Sequence, residues 1–314
     1  MKKFLIKVSV YIVLLIAGAF TLQYILEKKI KQVNLDGQTW NIFSSKISSD
    51  VIISGNSRAA DDFSPQILDS VLHINSYNFG MHGQPFPVQL VRFKLFEKYN
   101  QKPKLIIHSV DFFTLSQGYR FNMRQFSPYL HEDLLRDGLR KMGATEAELN
   151  IPLWFYASGW RLILEVFTRP STPDFGHKGY VEKDLNWDGA KFDKVLSGDS
   201  LAAKREPEVV ALFDSYLSYC KENDIQVILV YTPQYIKATE FTKNWDGEMQ
   251  LYHDFAKKYD IPFLDYTHDA ICNDITYFYN ATHLNKKGAE LFTLKLANDI
   301  KKNLPIKKKC VPLH

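Results

Sequence analysis

A serine hydroxyl becomes a nucleophile when a base stands ready to take its proton and a third group holds that base in the right tautomer. Two segments at opposite ends of this chain carry those residue types. Ser57 lies in Val51-Ile-Ile-Ser-Gly-Asn-Ser-Arg-Ala59, where an apolar run gives way to Gly55-Asn56 and then to a helix-forming stretch. A serine in that place projects from the carboxyl edge of a sheet, and the free N–H groups of a helix start can receive a developing oxyanion. The same Gly-Asn-Ser triplet also suits a plain turn with a helix cap, so the segment alone allows both readings. His283 favours the first. It lies in Tyr277-Phe-Tyr-Asn-Ala-Thr-His-Leu-Asn-Lys-Lys-Gly-Ala289, just ahead of a final helical pattern. Asn280, three positions before it, can hold the imidazole through its side-chain oxygen. The chemistry implied is nucleophilic attack by the Ser57 hydroxyl with His283 as its base.

The neighbouring polar residues are read more plainly. Arg58 could bind a substrate carboxylate or phosphate, or pair with Asp61, Asp62 or Asp111, and Asn56 stands beside the nucleophile as a second substrate contact. His82 and His108 read as packed or solvated. Trp154, Trp160 and Trp187 could form a sugar-stacking platform, although Trp160 sits at helical spacing and suits a core. Cys220, Cys272 and Cys310 show no CxxC spacing and no clustered histidines, so no metal is expected. Cys220 falls on an apolar helix face, while Cys272 and Cys310 could pair in an oxidising compartment or remain thiols. There is neither a phosphate loop nor a dinucleotide-binding glycine pattern, and no cofactor is expected.

The elements that must position Ser57 and His283 follow from periodicity. Continuous apolar runs at Asp50–Gly55, Ile74–Phe79, Leu105–Val110, Ile225–Tyr231 and Pro262–Tyr266 predict strands covered on both faces. Helical patterns lie between them at Ser64–Leu72, Pro87–Tyr99, Pro207–Glu222 and Glu248–Tyr259, with a last one at Lys286–Leu304. Strand and helix in alternation predict a parallel sheet sandwiched between helices. Residues 113–204 interrupt the alternation. Two helix-like stretches, His131–Met142 and Ile151–Thr168, and a glycine-containing piece mark them as an insertion over the carboxyl ends of the strands, where open α/β sheets place their ligands.

Of 314 residues, 46% are hydrophobic and 24% charged, enough apolar material for a proper core. The net charge of +4 is small, and the basic residues gather at the two ends without interleaved aromatics, which argues against nucleic acid as a partner. Val8–Leu26 is a nearly uninterrupted apolar run of bilayer-spanning length, flanked by Lys2, Lys3 and Lys7 and by Lys28, Lys29 and Lys31. Ala17-Gly18-Ala19 offers a signal-peptidase site. Apolar residues continue past it, however, which favours an uncleaved membrane anchor with the domain outside. The expected organisation is an anchor or signal over residues 1–27, a polar stalk over 28–48, an α/β domain over 49–305 and a basic tail over 306–314.

Gly55-Asn56-Ser57 and Asn280-Ala281-Thr282-His283 resemble the first and last blocks of the SGNH, or GDSL-like, hydrolase superfamily: Gly-Asp/Asn-Ser after the first strand and Asp-x-x-His before the last helix. Asn78-Phe79-Gly80-Met81-His82-Gly83 stands where that family's second block supplies a glycine N–H, so the resemblance implies an oxyanion hole from Ser57 and Gly80. It also implies a flavodoxin-like three-layer sandwich, with one transmembrane helix preceding it here. Two departures stand out. Val110, in His108-Ser109-Val110-Asp111, replaces the asparagine of the family's Gly-x-Asn-Asp block, and Asn280 replaces the aspartate. Loss of one oxyanion donor costs about two to three orders of magnitude in rate. An asparagine orients an imidazole but places no negative charge on the imidazolium.

Such departures resemble the divergent membrane-anchored branch that includes alginate O-acetylation proteins and the D-alanyl transfer proteins of teichoic acid. That resemblance implies a single-pass protein of the bacterial cytoplasmic membrane, with its catalytic domain on the outer, periplasmic side. Its partners would be an acylated surface glycan or polysaccharide and a membrane-bound acyltransferase. Its expected function is that of an exported serine esterase or O-acyltransferase. The competing expectation is a glycan-binding or scaffold protein that keeps the fold while its catalytic machinery decays.

Overall fold

The computed structural model describes residues 1–33, 38–45, 47–116, 123–157, 159–169, 176–189 and 205–304. It divides into two compact units: Met1–Trp40 with Asn122–Asp174, and Asn41–Phe121 with Phe175–His314.

The second unit carries the sheet. Five strands, β1 (Val51–Ser54), β2 (Ser76–Asn78), β3 (Leu105–Val110), β4 (Gln226–Tyr231) and β5 (Phe263–Asp265), lie in the order β2-β1-β3-β4-β5. Every pairing is parallel, with Val51 beside Ser76 and Leu105, Leu105 beside Gln226, and Leu229 beside Phe263. Val51, Ile52, Ile53, Ile106, Ile107, Leu229 and Val230 are all buried, as strands covered on both faces require. The edge strand β5 departs from that rule, being only partly covered.

On one face, Leu68 of the helix Pro65–Leu72 and Ala289, Phe292, Leu296 and Ile300 of the helix Lys286–Asn303 close the core over Ile53, Ile107 and Val230. Phe63 meets Phe292 edge to face at 5.4 Å. The helices Phe86–Tyr99, Pro207–Glu222 and Trp245–Tyr259 supply the second aromatic layer, in which Phe213 meets Phe86 at 4.9 Å and Phe255 at 5.3 Å. His108 of β3 packs into this layer against Phe86, Phe213 and Tyr216. Cys220 and Cys272 are buried free thiols. Cys310 lies outside the described residues, as do the basic tail and residues 117–122, 170–175 and 190–204 of the insertion.

The described piece of insertion in this unit, residues 176–189, borders the sheet. The Asn78 N–H, at the last residue of β2, donates to Lys178 O at 2.8 Å. The segment then runs beside the His283 loop, where Asp188 N donates to Tyr279 O at 3.0 Å and Lys286 N to Lys183 O at 2.8 Å.

The first unit is built on one long helix, Lys2–Gln32. Its mean hydropathy of 2.3 over an 18-residue window makes it long and apolar enough to cross a membrane. Phe4 through Ile25 present large apolar side chains to the outside, whereas Leu26 and Ile30 are buried with Tyr156 and Val166. Gln23 Oε1 accepts the Leu153 N–H at 2.7 Å. The remaining helices of the unit include Asp133–Lys141, Glu146–Asn150 with a Thr145/Glu148 capping box, and Trp160–Thr168. Trp154 is exposed, and the Trp160 side chain lies outside the described residues. Where a polar stalk was expected over 28–48, the helix continues to Gln32 and a second one forms at Gln38–Phe43, with Ile42 and Ile47 buried.

Candidate active site

Gly55 ends β1 and turns the chain into the short helix Ser57–Asp62. Its φ is +144°, and a Cβ there would fall 2.7 Å from Ser109 O and 2.8 Å from the Ala59 methyl, so both backbone and space require glycine. Asn56 caps the helix: its Oδ1 accepts the Arg58 N–H at 3.1 Å, and its Nδ2 donates to the Asp111 carboxylate. Ser57 therefore occupies the first helical position, and its own N–H is among the donors a helix start leaves unbonded within the helix.

The other half is a tight hairpin, Phe278–Asn280 against His283–Leu284. Asn280 Oδ1 accepts the backbone N–H groups of Thr282 (3.0 Å) and His283 (3.1 Å), which fixes which end of the amide faces the turn. The same oxygen lies 2.9 Å from His283 Nδ1, with Thr282 Oγ1 at 3.0 Å from that nitrogen. His283 Nε2 lies 2.7 Å from Ser57 Oγ. With the proton on Nδ1, held by Asn280, Nε2 is the acceptor for the serine hydroxyl. Ser57, His283 and Asn280 thus meet as one hydrogen-bonded chain.

Three further contacts lock the halves together. Asp62 Oδ1 accepts the Leu284 N–H at 3.1 Å, and its Oδ2 accepts Thr232 Oγ1–H at 2.6 Å. Tyr235 N donates to Ala281 O at 3.0 Å. The loop after β4 is therefore stitched both to the serine helix and to the histidine hairpin.

Arg58, expected either to contact substrate or to pair with Asp61, Asp62 or Asp111, is turned inward and only 3% exposed, with its Nε 3.9 Å from Asp62 Oδ2. Its Nε donates to Thr232 Oγ1 at 2.9 Å, its other nitrogens to Thr232 O, Pro233 O and Gln234 Oε1, and its guanidinium lies 4.5 Å from the Tyr231 ring centroid. Burial forces such a charge to satisfy its donors internally, and this one braces the loop after β4. Asn56 likewise serves the cap and Asp111 before any substrate.

Gly80, expected to lend its N–H to an oxyanion, donates it to Asn78 Oδ1 at 3.0 Å. Gly80 is needed for another reason. A Cβ at this position would collide with the backbone at Ala59–Ala60, so its absence lets the chain after β2 press against the serine helix. Val110 is fully buried at the end of β3 and offers no side-chain donor.

Burial pushes His283 down to about 4, with Asp61 and Asp111 opposing the shift and Arg58 and His82 adding to it. The imidazole is thus neutral, and able to accept a proton, throughout the neutral range.

Asp61, Asp62, Thr282 and Tyr279 belong to this site although sequence reasoning singled none of them out as functional. The available signal was the i, i+4 spacing of Ser57 and Asp61, which sets both on one face of a helix. His82, read as packed or solvated, is half exposed beside the pair and bonded to Asp61.

No family model and no curated protein matches the chain. Among solved structures it is similar to an acetyl-xylooligosaccharide esterase from a Geobacillus species: TM-score 0.39, 13% identity, 80% of this chain and 93% of that one. It is also similar to AlinE4, an esterase of the SGNH-hydrolase family: TM-score 0.34, 16% identity, 82% of this chain and 98% of that one. A Bacteroides fragilis protein to which acylhydrolase activity is ascribed aligns with a TM-score of 0.36 at 15% identity, over 79% of this chain and 86% of its own. Fold and site together define a parallel α/β protein with a serine–histidine–asparagine constellation at the carboxyl edge of its sheet.

Proposed function

We propose that the protein is a serine acyl esterase or O-acyltransferase acting on an acylated surface glycan or polysaccharide. The observation that carries the reading is the continuous path from Ser57 Oγ through His283 Nε2 and Nδ1 to Asn280 Oδ1, at 2.7 and 2.9 Å. As Ser57 Oγ bonds to the ester carbon, its proton passes to Nε2 and the carbonyl oxygen becomes an oxyanion facing the Ser57 N–H. Collapse breaks the carbon–oxygen bond to the leaving alcohol, which takes the proton from Nε2. Water or a sugar hydroxyl then gives its proton to the same nitrogen, attacks the acyl-serine and returns Ser57 to its starting state.

The apolar helix Lys2–Gln32 supports a single-pass anchor; in this reading the catalytic unit works on the outer face of the bacterial cytoplasmic membrane beside a membrane-bound acyltransferase. The competing reading, a decayed glycan-binding scaffold, is favoured by the Gly80 N–H bonded to Asn78 and by Val110, both of which thin the oxyanion hole.

A fluorophosphonate probe separates the two. Wild-type protein is expected to label at a single serine, with labelling abolished in both Ser57→Ala and His283→Ala. Because His283 is depressed to about 4, the labelling rate should hold as pH falls through 6.5 and decline only near pH 4 to 5. Folded wild-type protein that takes up no probe at any pH would leave the scaffold reading standing. Faster turnover of a chromogenic acetyl ester in the presence of a glycan acceptor would mark transfer over hydrolysis.

A further inference from the structure

His283 has an oriented proton on Nδ1 but no carboxylate on it, and the imidazolium formed during acyl transfer needs a compensating negative charge. Asn280 cannot supply one. We infer that Asp61 is the counter-charge of the His283 imidazolium, acting across the rings of His82 and Tyr279. The inference rests on the acyl-transfer reading for its use, though not for its geometry.

Asp61 lies one helical turn after Ser57, and its side chain is 1% exposed. Its Oδ1 is 2.9 Å from His82 Nε2, and its Oδ2 accepts the Tyr279 hydroxyl at 2.7 Å. Both rings bonded to it lie nearly parallel to the His283 ring: Tyr279 at 5.5 Å and 20°, His82 at 6.4 Å and 22° between centroids and planes. One carboxylate thus gathers two of the rings that flank the base. Burial and the adjoining Asp61 carboxylate push the Tyr279 hydroxyl well above its ordinary range, so it stays protonated and remains a donor.

The charged and titratable groups facing His283 come from every element around it. Arg58, Asp61 and Asp62 come from the serine helix, His82 from the loop after β2, Asp111 from the loop after β3 and Tyr279 from its own hairpin. Lys183 of the segment 176–189 stands 3.9 Å from Asp61 Oδ1. Among the other carboxyl groups, Asp62 is engaged by Arg58, Thr232 and the Leu284 N–H, and burial pushes it up to about 8, so it supplies no lasting negative charge below that pH. Asp111 is engaged by Asn56, Thr114 and the Phe113 N–H. Asp61 alone is linked to rings stacked beside the base, and it is the largest influence holding the His283 pKa up. It touches no reacting atom and is a positioning residue.

The test is the His283 titration, followed by imidazole NMR in the full chain in detergent. Asn280→Asp is expected to raise the midpoint, which brings it into a convenient pH range. Adding Asp61→Asn, which keeps the shape and removes the charge, is expected to lower that midpoint by about one pH unit, the size of effect one nearby anion exerts. In the Asn280 background, Asp61→Asn is expected to slow fluorophosphonate labelling about tenfold and to move its acid limb to lower pH. A residue that merely supports the fold would slow labelling without moving the limb. Tyr279→Phe, which loses one tether and keeps the charge, should leave the midpoint close to wild type. A midpoint unchanged by Asp61→Asn in protein with wild-type circular dichroism overturns the inference. Absence of labelling in the wild type would instead remove the acyl-transfer reading, while the titration still reports whether Asp61 acts on His283.

Discussion

Asn280 combines two tasks that an aspartate at the same position would also perform, and lacks a third. Its Oδ1 closes the hairpin turn by accepting two backbone N–H groups, and it selects the His283 tautomer by accepting Nδ1–H. It adds no charge to oppose the burial that pushes the base down to about 4. A carboxylate in its place would keep all three acceptor contacts and raise the basicity of Nε2. Asn280→Asp is therefore expected to speed fluorophosphonate labelling by about tenfold and to shift its acid limb upward. A collapse of labelling in that variant would show that position 280 is not the orienting group. Ser57, His283 and Asn280 were legible in the sequence because each lies in a short local pattern, beside a strand end or a helix start. The surroundings of Arg58 and Gly80 were less legible, because much of what decides them is not local. The inward turn of Arg58 depends on carbonyls at Thr232 and Pro233, far along the chain, and the Gly80 N–H depends on the rotamer of Asn78.

Elements were read well wherever burial on both faces enforces a continuous pattern. Leu105–Val110 and Pro207–Glu222 form over the expected residues, and the other four strands differ from expectation by one or two residues at their ends. The hairpin around His283 and the short helix Ile236–Glu240 were not anticipated as elements, and of the short helix Ser57–Asp62 only the start was. They are too short to show a period, and tertiary contacts hold them. Gly80 shows how closely these pieces fit. A methyl at that position would meet the backbone at Ala59–Ala60, which cannot yield without moving Ser57. Gly80→Ala is expected to lose on the order of 2 kcal/mol or more of stability and most of the labelling, as overpacking against backbone does. Gly83→Ala is the matched control: its added methyl meets open space, and only its φ of +65° counts against it. It should cost about 1–2 kcal/mol and leave labelling near wild type. Equal loss of labelling in both would mean that the Gly80 packing has no particular bearing on the site.

At the scale of the whole chain, the two-unit organisation was the least legible feature. A run of apolar residues announces a membrane-length helix, but nothing in its pattern says that Leu26 and Ile30 pack with Tyr156 and Val166 more than a hundred residues on. The sheet unit, in contrast, has a global property that follows from two buried bases. His108, fully buried in the aromatic layer, is pushed down to about 3 by burial alone, and His283 to about 4. Both bind a proton readily in the unfolded chain, near pH 6.5, and resist it in the native state. Between about pH 6.5 and 4 the unfolded state therefore holds more protons, and stability falls as pH falls through that window. For His108 the loss by pH 4 is on the order of 3 kcal/mol, from about 1.4 kcal/mol for each pH unit by which the two states differ. His108→Phe removes the titrating group while keeping an aromatic ring among Phe86, Phe213 and Tyr216. Its urea-unfolding free energy should depend less steeply on pH across this window than that of the wild type, with the remaining dependence reduced further by His283→Ala. Parallel pH profiles for wild type and His108→Phe would show that His108 already carries its proton in the folded chain, and that burial does not hold it neutral.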